Sequence, residues 1–133
     1  MKRKGKVLVV DDESSVRDLF DSAFTEAGYE VIAAEGGKEA LAILKIHDID
    51  VIFLDLKLFG MNGIDLCRQI RKTKPVSMIY AMTGWSALFE IGECREAGFD
   101  DYFEKPLDME MLLSLVDQAF ARLARWKKRY NSI

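Results

Sequence analysis

The sequence has a single histidine, His47, and two cysteines, Cys67 and Cys94, that stand 27 positions apart. Neither the histidine nor the thiols have a neighbour at metal-ligand spacing, so a zinc site and a disulfide framework are both excluded as organising features. The two thiols are expected to be small buried apolar groups. Long hydrophobic runs are missing too: no stretch approaches the roughly 20 apolar residues needed to span a bilayer. The basic start Met1 to Lys6 is followed by only Val7 to Val10 before two aspartates, which is too short for a signal-peptide core, so a cytoplasmic protein is the expectation. Acid is absent from residues 122–133, which carry Arg122, Arg125, Lys127, Lys128 and Arg129. With Lys2, Arg3, Lys4 and Lys6 at the other end, residues 7–121 keep 10 basic against 22 acidic residues, a charge of −12. An acidic body of that kind does not grip nucleic acid.

What the sequence does have is one domain's worth of alternating pattern. At 133 residues and 50% hydrophobic, it can bury a single core without metal or disulfide. Short apolar runs read as strands at 6–10, 30–34, 50–54, 76–82 and 101–104. The first and third are continuously apolar after their first residue, as strands covered on both faces are, and so belong in the centre of a parallel sheet. Between the strands the period becomes helical. Val16, Leu19, Phe20, Ala23, Phe24 and Ala27 make one stripe, closed by Gly28, a helix stop. Further helices are expected from Gly37 to Ile46, from an Asn62 cap to Lys74-Pro75, from about Ser86 to Ala97, and from near Pro106 onward. The last keeps its stripe through Leu112, Leu115, Val116, Ala119, Leu123, Trp126 and Tyr130. Five βα units with right-handed crossovers give an α/β fold, a doubly wound sheet with helices on both faces, for which the flavodoxin-like order 2-1-3-4-5 is one common solution. Ligands of such sheets sit beyond the carboxyl ends of the strands.

Those ends carry Asp11, Asp12 and Glu13 after strand 1, Asp55 after strand 3, Thr83-Gly84 after strand 4, and Lys105-Pro106 after strand 5. With strands 1 and 3 adjacent, three carboxylates meet. Two carboxylates about 4 Å apart repel by roughly 4 kcal/mol at an effective dielectric of about 20, so the cluster calls for a cation. An all-oxygen donor set selects Mg²⁺ or Mn²⁺ over zinc and leaves room for phosphate oxygens. Lys105 offers a point charge and Thr83 a hydroxyl, both suited to a phosphoryl group. Asp55, alone at its strand end, is the better nucleophile, with Asp11 and Asp12 as the metal-holding pair. An aspartate after a strand is commonly just a turn residue, but four strand ends here supply one consistent set.

Over about residues 5–121 the sequence resembles a receiver domain of the two-component response regulators, the phosphoacceptor family that includes chemotaxis-type single-domain regulators. The resemblance rests on Val7 to Glu13, on Val51 to Asp55, on Gly60-Met61-Asn62-Gly63, on Thr83-Gly84, and on Ala97 to Pro106. The spacings agree: 43 positions from Asp12 to Asp55, 28 more to Thr83 and 22 more to Lys105. It implies that Asp55 accepts phosphate from a histidine kinase or phosphotransfer protein. Asp12 and Asp55 would bind Mg²⁺ directly, Asp11 partly through water, with the Lys57 backbone carbonyl as a further ligand. Thr83 would move to hold the phosphoryl group, Lys105 would pair with it, and Tyr102 would be the switch aromatic that turns inward, so that one bistable element is biased and its far face read by a partner. Phe59 departs from the family, which usually has proline there. Lys57 and Trp85 occupy variable positions that gate water, and bulky Trp85 is expected to shield an acyl phosphate; small Gly84 leaves space for it.

Rival readings are a Mg²⁺-dependent phosphatase, a flavin carrier and a phosphorylation-independent interaction module. The phosphatase would want an acid at Lys57, and the flavin carrier a Ser/Thr-rich loop where Asp11-Asp12-Glu13 stand; intact acceptor residues weigh against the module. Residues 122–133 are expected as a basic extension of the last helix. That extension is either a solvated end whose cations suit the helix dipole, or a homodimer seam or lead into an output domain, the other output being a separate protein target.

Overall fold

A computed structural model describes residues 3–84 and 88–131 of the chain. Its elements are β1 Lys6–Val10, α1 Ser14–Glu26, β2 Glu30–Ala34, α2 Gly37–Ile46, β3 Val51–Asp55, α3 Gly63–Thr73, β4 Met78–Thr83, α4 Leu88–Ala97, β5 Asp101–Glu104 and α5 Met109–Asn131. All strand pairs are parallel, in the order β2-β1-β3-β4-β5, the flavodoxin-like solution. Both continuously apolar strands lie inside the sheet, and every residue of β3 is buried.

Strand side chains alternate between faces, and this splits the core in two. Leu8, Val10, Ile52, Leu54, Ile79 and Ala81 pack on the side covered by α2, α3 and α4. Val7, Val9, Val51, Phe53, Tyr80 and Met82 pack on the side covered by α1 and α5. On this second side Phe53 lies 4.9 Å from Phe20 and 5.1 Å from Tyr80 between ring centroids. Full burial of such a ring stabilises the fold by about 2–3 kcal/mol. Cys67 and Cys94 are buried in the first core, as expected for apolar thiols.

Helix boundaries follow local chemistry. Gly28 ends α1 with φ +100°, a conformation that favours glycine. Asn62 caps α3 by accepting from the Asp65 amide at 2.8 Å. Some boundaries differ from the sequence reading: β3 runs from Val51 through Asp55 instead of 50–54. Helix α5 starts at Met109 instead of near Pro106, because the Asp108 carboxylate accepts from the Met111 amide at 3.2 Å and so caps the helix there. Strand β4 starts at Met78, where the amide donates to the Asp50 carbonyl at 2.8 Å; Val76 is exposed. In α5 the buried stripe ends at Leu123, and Trp126 is 53% exposed. Residues 85–87, including Trp85, and the side chain of Tyr130 lie outside the described residues. Among the described residues no helix is long and apolar enough to cross a membrane.

Candidate functional site

Parallel strands that end together deliver their following residues to one place. Asp55 closes β3 and pairs in register with Met82 of β4, one position before Thr83, while Val10 of β1 pairs with Leu54. Asp11, Asp55 and Thr83 are buried, and Asp12, Glu13 and Lys57 are exposed. One carboxylate oxygen from each of Asp11, Asp12, Glu13 and Asp55 falls within 4.8 Å of the others. The structure therefore gathers the predicted Asp11, Asp12 and Asp55, and adds Glu13.

The cluster is anchored through its backbone. The Glu13 amide donates to Asp11 Oδ1 at 2.9 Å and the Lys57 amide to Asp55 Oδ1 at 3.1 Å. Helix α3 starts directly against the Asp55 peptide: a Cβ on Gly63 would lie 2.3 Å from the Asp55 carbonyl oxygen, so only glycine fits. From β5, Lys105 reaches back, its amide donating to the Thr83 carbonyl at 2.7 Å. Its ammonium lies 2.8 Å from Asp11 Oδ2, 3.3 Å from Asp55 Oδ2 and 3.5 Å from Glu13 Oε1.

One cation among four carboxylates leaves the cluster short of positive charge. Asp11 Oδ2 is fully buried, and apart from its ion pair with Lys105 at 2.8 Å it has no hydrogen-bond donor among the described residues. Burial pushes the Asp55 carboxyl above its ordinary range, with Asp11 adding to the rise and the Lys57 amide and Lys105 opposing it. Burial alone would lower the Lys105 ammonium, but Asp11 and Asp55 outweigh it and the net shift is upward. A compact all-oxygen set with an unsatisfied buried oxygen fits a hard divalent cation.

A family model described as the response regulator receiver domain matches residues 7–117. The chain belongs to that family. It is a receiver domain of the two-component response regulators, a regulatory class. The receiver is 36% identical over 121 residues to the "Uncharacterized transcriptional regulatory protein YrkP" of Bacillus subtilis, covering 91% of this chain and 50% of that protein. It is 34% identical to the "DNA-binding transcriptional regulator NtrC" of Escherichia coli, covering 97% of this chain and 28% of that one. The chain thus spans half or less of these relatives. Among solved structures, a CheY-like receiver domain protein from Methanospirillum hungatei superposes with a TM-score of 0.87 at 26% identity, over 94% of this chain and 98% of that one.

Two further residues matter around the receiver site. Tyr102, in β5, is half-buried against the α2–α4 side of the core and lines a groove of about 490 Å³ with Ile91, Cys94 and Phe99. Arg17, which the sequence reading passed over, donates through Nη1 to the Asp11 carbonyl at 2.8 Å. A signal for it existed: a cation in the first turn of a helix opposes the helix dipole and needs a local partner.

Proposed function

We propose that this receiver is an active phosphoacceptor switch, with Asp55 as the acceptor. The single observation that carries the reading is a buried carboxylate at the end of a central strand, 3.3 Å from the Lys105 ammonium, inside an otherwise underneutralised acidic cluster. An Asp55 oxygen attacks phosphorus of a phosphohistidine on a kinase or phosphotransfer protein; the P–N bond breaks and an acyl phosphate forms. Desolvation makes the Asp55 carboxylate more basic and hence a better nucleophile. Lys105 holds charge on the transferred oxygens, and the Thr83 hydroxyl donates to one of them. Asp11, Asp12, Asp55 and the Lys57 carbonyl would hold Mg²⁺, which would supply neutralisation of the remaining charge. A groove of about 470 Å³, lined by Glu13, Val16, Leu19, Gly84, Lys105 and Pro106 among others, gives a donor access from the α1 side.

The switch couples Thr83 to Tyr102, so that charge at Asp55 biases the β5 surface and the flanking helices. The chain assists its own phosphotransfer and dephosphorylation and otherwise acts by docking, either to a separate protein or through an output domain. Residues 5–121 form the receiver unit and the basic residues that follow extend its last helix, the final two lying outside the described residues. This acidic domain works in the cytoplasm without direct contact to nucleic acid, and its extended last helix is either a solvated end, a homodimer seam or a lead into an output domain.

Beryllofluoride mimics the phosphoryl group, so titrating it with Mg²⁺ against tryptophan fluorescence tests the proposal. A saturable, Mg²⁺-dependent response that Asp55→Asn abolishes is expected. A response independent of Asp55, or none at all, leaves a phosphorylation-independent interaction module.

A further inference from the structure

Arg17 stands in the first turn of α1, which itself holds no acidic residue. The free amides of a first turn carry partial positive charge and disfavour a cation. Yet the side chain is drawn in to 18% exposure. Its guanidinium forks between two strand ends: Nη1 donates to the Asp11 carbonyl at 2.8 Å, and Nη2 lies 3.5 Å from Glu35 Oε1, one residue past β2.

The Asp11 carbonyl and the Asp12 amide belong to one planar peptide unit. A bond to that oxygen therefore fixes the plane from which Asp12 projects. Asp11 is held elsewhere too, its amide donating to the Ala34 carbonyl at 3.1 Å and its Oδ1 accepting from Glu13 at 2.9 Å. Asp12 differs. Its exposed carboxylate makes no hydrogen bond or ion pair among the described residues, so no contact of its own holds it, and the peptide it springs from sets the region its rotamers can reach.

We propose that Arg17 is a positioning residue for the cation site, fixing the Asp11–Asp12 peptide so that the Asp12 carboxylate is preset toward Asp11 and Asp55. The inference rests on the reading of this cluster as a Mg²⁺ site. It makes an uncommon demand on sign. A guanidinium near a dication repels it, so loss of Arg17 through charge alone would tighten Mg²⁺ binding. Loss of a fixed peptide plane weakens it, because the ligand must then be ordered on binding.

Calorimetric Mg²⁺ titration of the whole chain separates the two. Arg17→Gln is expected to weaken Mg²⁺ by about 10-fold, the size seen when groups that orient metal ligands are removed. Arg17→Lys keeps the charge but cannot span both strand ends as a planar fork, and is expected to weaken binding as well. Urea melts without Mg²⁺ give the folded fraction of each variant, so a loss of packing is not read as a loss of affinity; if Arg17→Gln does not fold, Arg17→Lys decides. Wild-type protein that binds no Mg²⁺ removes the cation site and the inference with it. Wild type that binds, with both variants binding as tightly or more tightly, overturns the inference and leaves the site standing.

Discussion

At the carboxyl end of the sheet Lys105 is shared among Asp11, Glu13 and Asp55, and Asp12 has no partner among the described residues. At the amino end, Arg71 of α3 has acceptors on every side: the carbonyls of Gly98 at 2.8 Å, Lys74 at 3.3 Å, Pro75 at 3.2 Å and Ser77, and Asp100 Oδ2 at 2.7 Å. Asp100 in turn accepts from the Ile79 amide at 2.8 Å. Lys74 lies 3.5 Å from Asp48 and 3.9 Å from Asp50, and Lys127 pairs with Asp50. The same residue types thus serve opposite ends differently. Where charges are matched they tie loops to strands and stabilise. Where they are left unmatched the fold carries a cost, and that is where a ligand can be bound.

The largest expected effect lies at the matched end. Arg71→Met removes the donor shared by four carbonyls and strips Asp100 of its cation; breaking such a half-buried network costs about 3 kcal/mol. Urea unfolding should show a lower midpoint at an unchanged slope. A loss under about 1 kcal/mol would erase the contrast between the two ends.

The unmatched end was the more legible in the sequence. Strand runs are short and local, and the rule that ligands lie beyond their carboxyl ends points straight to Asp11, Asp12, Asp55, Thr83 and Lys105. The matched end was silent because its pairs are non-local: Arg71 and Asp100 are 29 residues apart, and an arginine in the last turn of a helix reads equally well as a dipole partner. Val76 read as strand because it is β-branched, although the carbonyls around it turn toward Arg71. Pro106 read as a helix start, a common role for proline, but the Asp108 cap sets the first turn three residues later. Glu13 was legible as part of the negative charge gathered at this sheet edge, but not as a carboxylate within 4.8 Å of the other three, which needed the actual turn after β1.

Alkaline pH supplies a background against which both ends can be measured. Burial pushes the thiols of Cys67 and Cys94 up to about 11 from an ordinary value of 9.0. The unfolded chain therefore begins to lose these protons near pH 9 while the native state keeps them. The stabilisation is full below pH 9 and is lost as pH rises through 11, about 1 kcal/mol per thiol by pH 10. Lys105 and Lys127 are both shifted upward, so the ion pairs at the two ends persist over this range. Burial also raises the Tyr29 and Tyr80 hydroxyls above their ordinary 10.0, so they add a smaller loss over the same range. Urea titrations at pH 7 and pH 10 should show the combined loss, and replacing both cysteines by alanine should remove most of it. A loss left undiminished by the replacement would place the titration elsewhere than at the thiols.

Smaller, and opposite in sign to Arg71, is the effect expected at the unmatched end. Asp11→Asn removes a fully buried charge that repels three neighbouring carboxylates, Asp12, Glu13 and Asp55, keeps an oxygen for the Glu13 amide, and leaves Lys105 paired with Asp55. Without Mg²⁺ the variant should be more stable than wild type by about 1 kcal/mol. With Mg²⁺ the order should narrow or reverse, because binding stabilises only the protein that holds the ion. Destabilisation by Asp11→Asn in metal-free buffer would mean that the Lys105 pair outweighs the repulsion, and that this end is matched after all.

The weakest tie is the one that holds the helix extension. Leu123 is buried, and past it Lys127 reaches Asp50, with the lysine 57% and the aspartate 20% exposed. Solvent screens such a pair, and its worth is about 0.5 kcal/mol at low salt and close to nothing at 1 M salt, where the screening length is about 3 Å. Lys127→Met should therefore lower stability by no more than that, and only at low ionic strength, while speeding amide exchange at residues 124–128 as the last turns loosen. Mg²⁺ affinity should not move, since Asp50 precedes β3 and Asp55 closes it, with the fully buried strand Val51–Asp55 between them. If affinity does move, the tail is coupled through β3 to the acidic cluster, and the division between a stabilising end and a binding end fails at the strand they share.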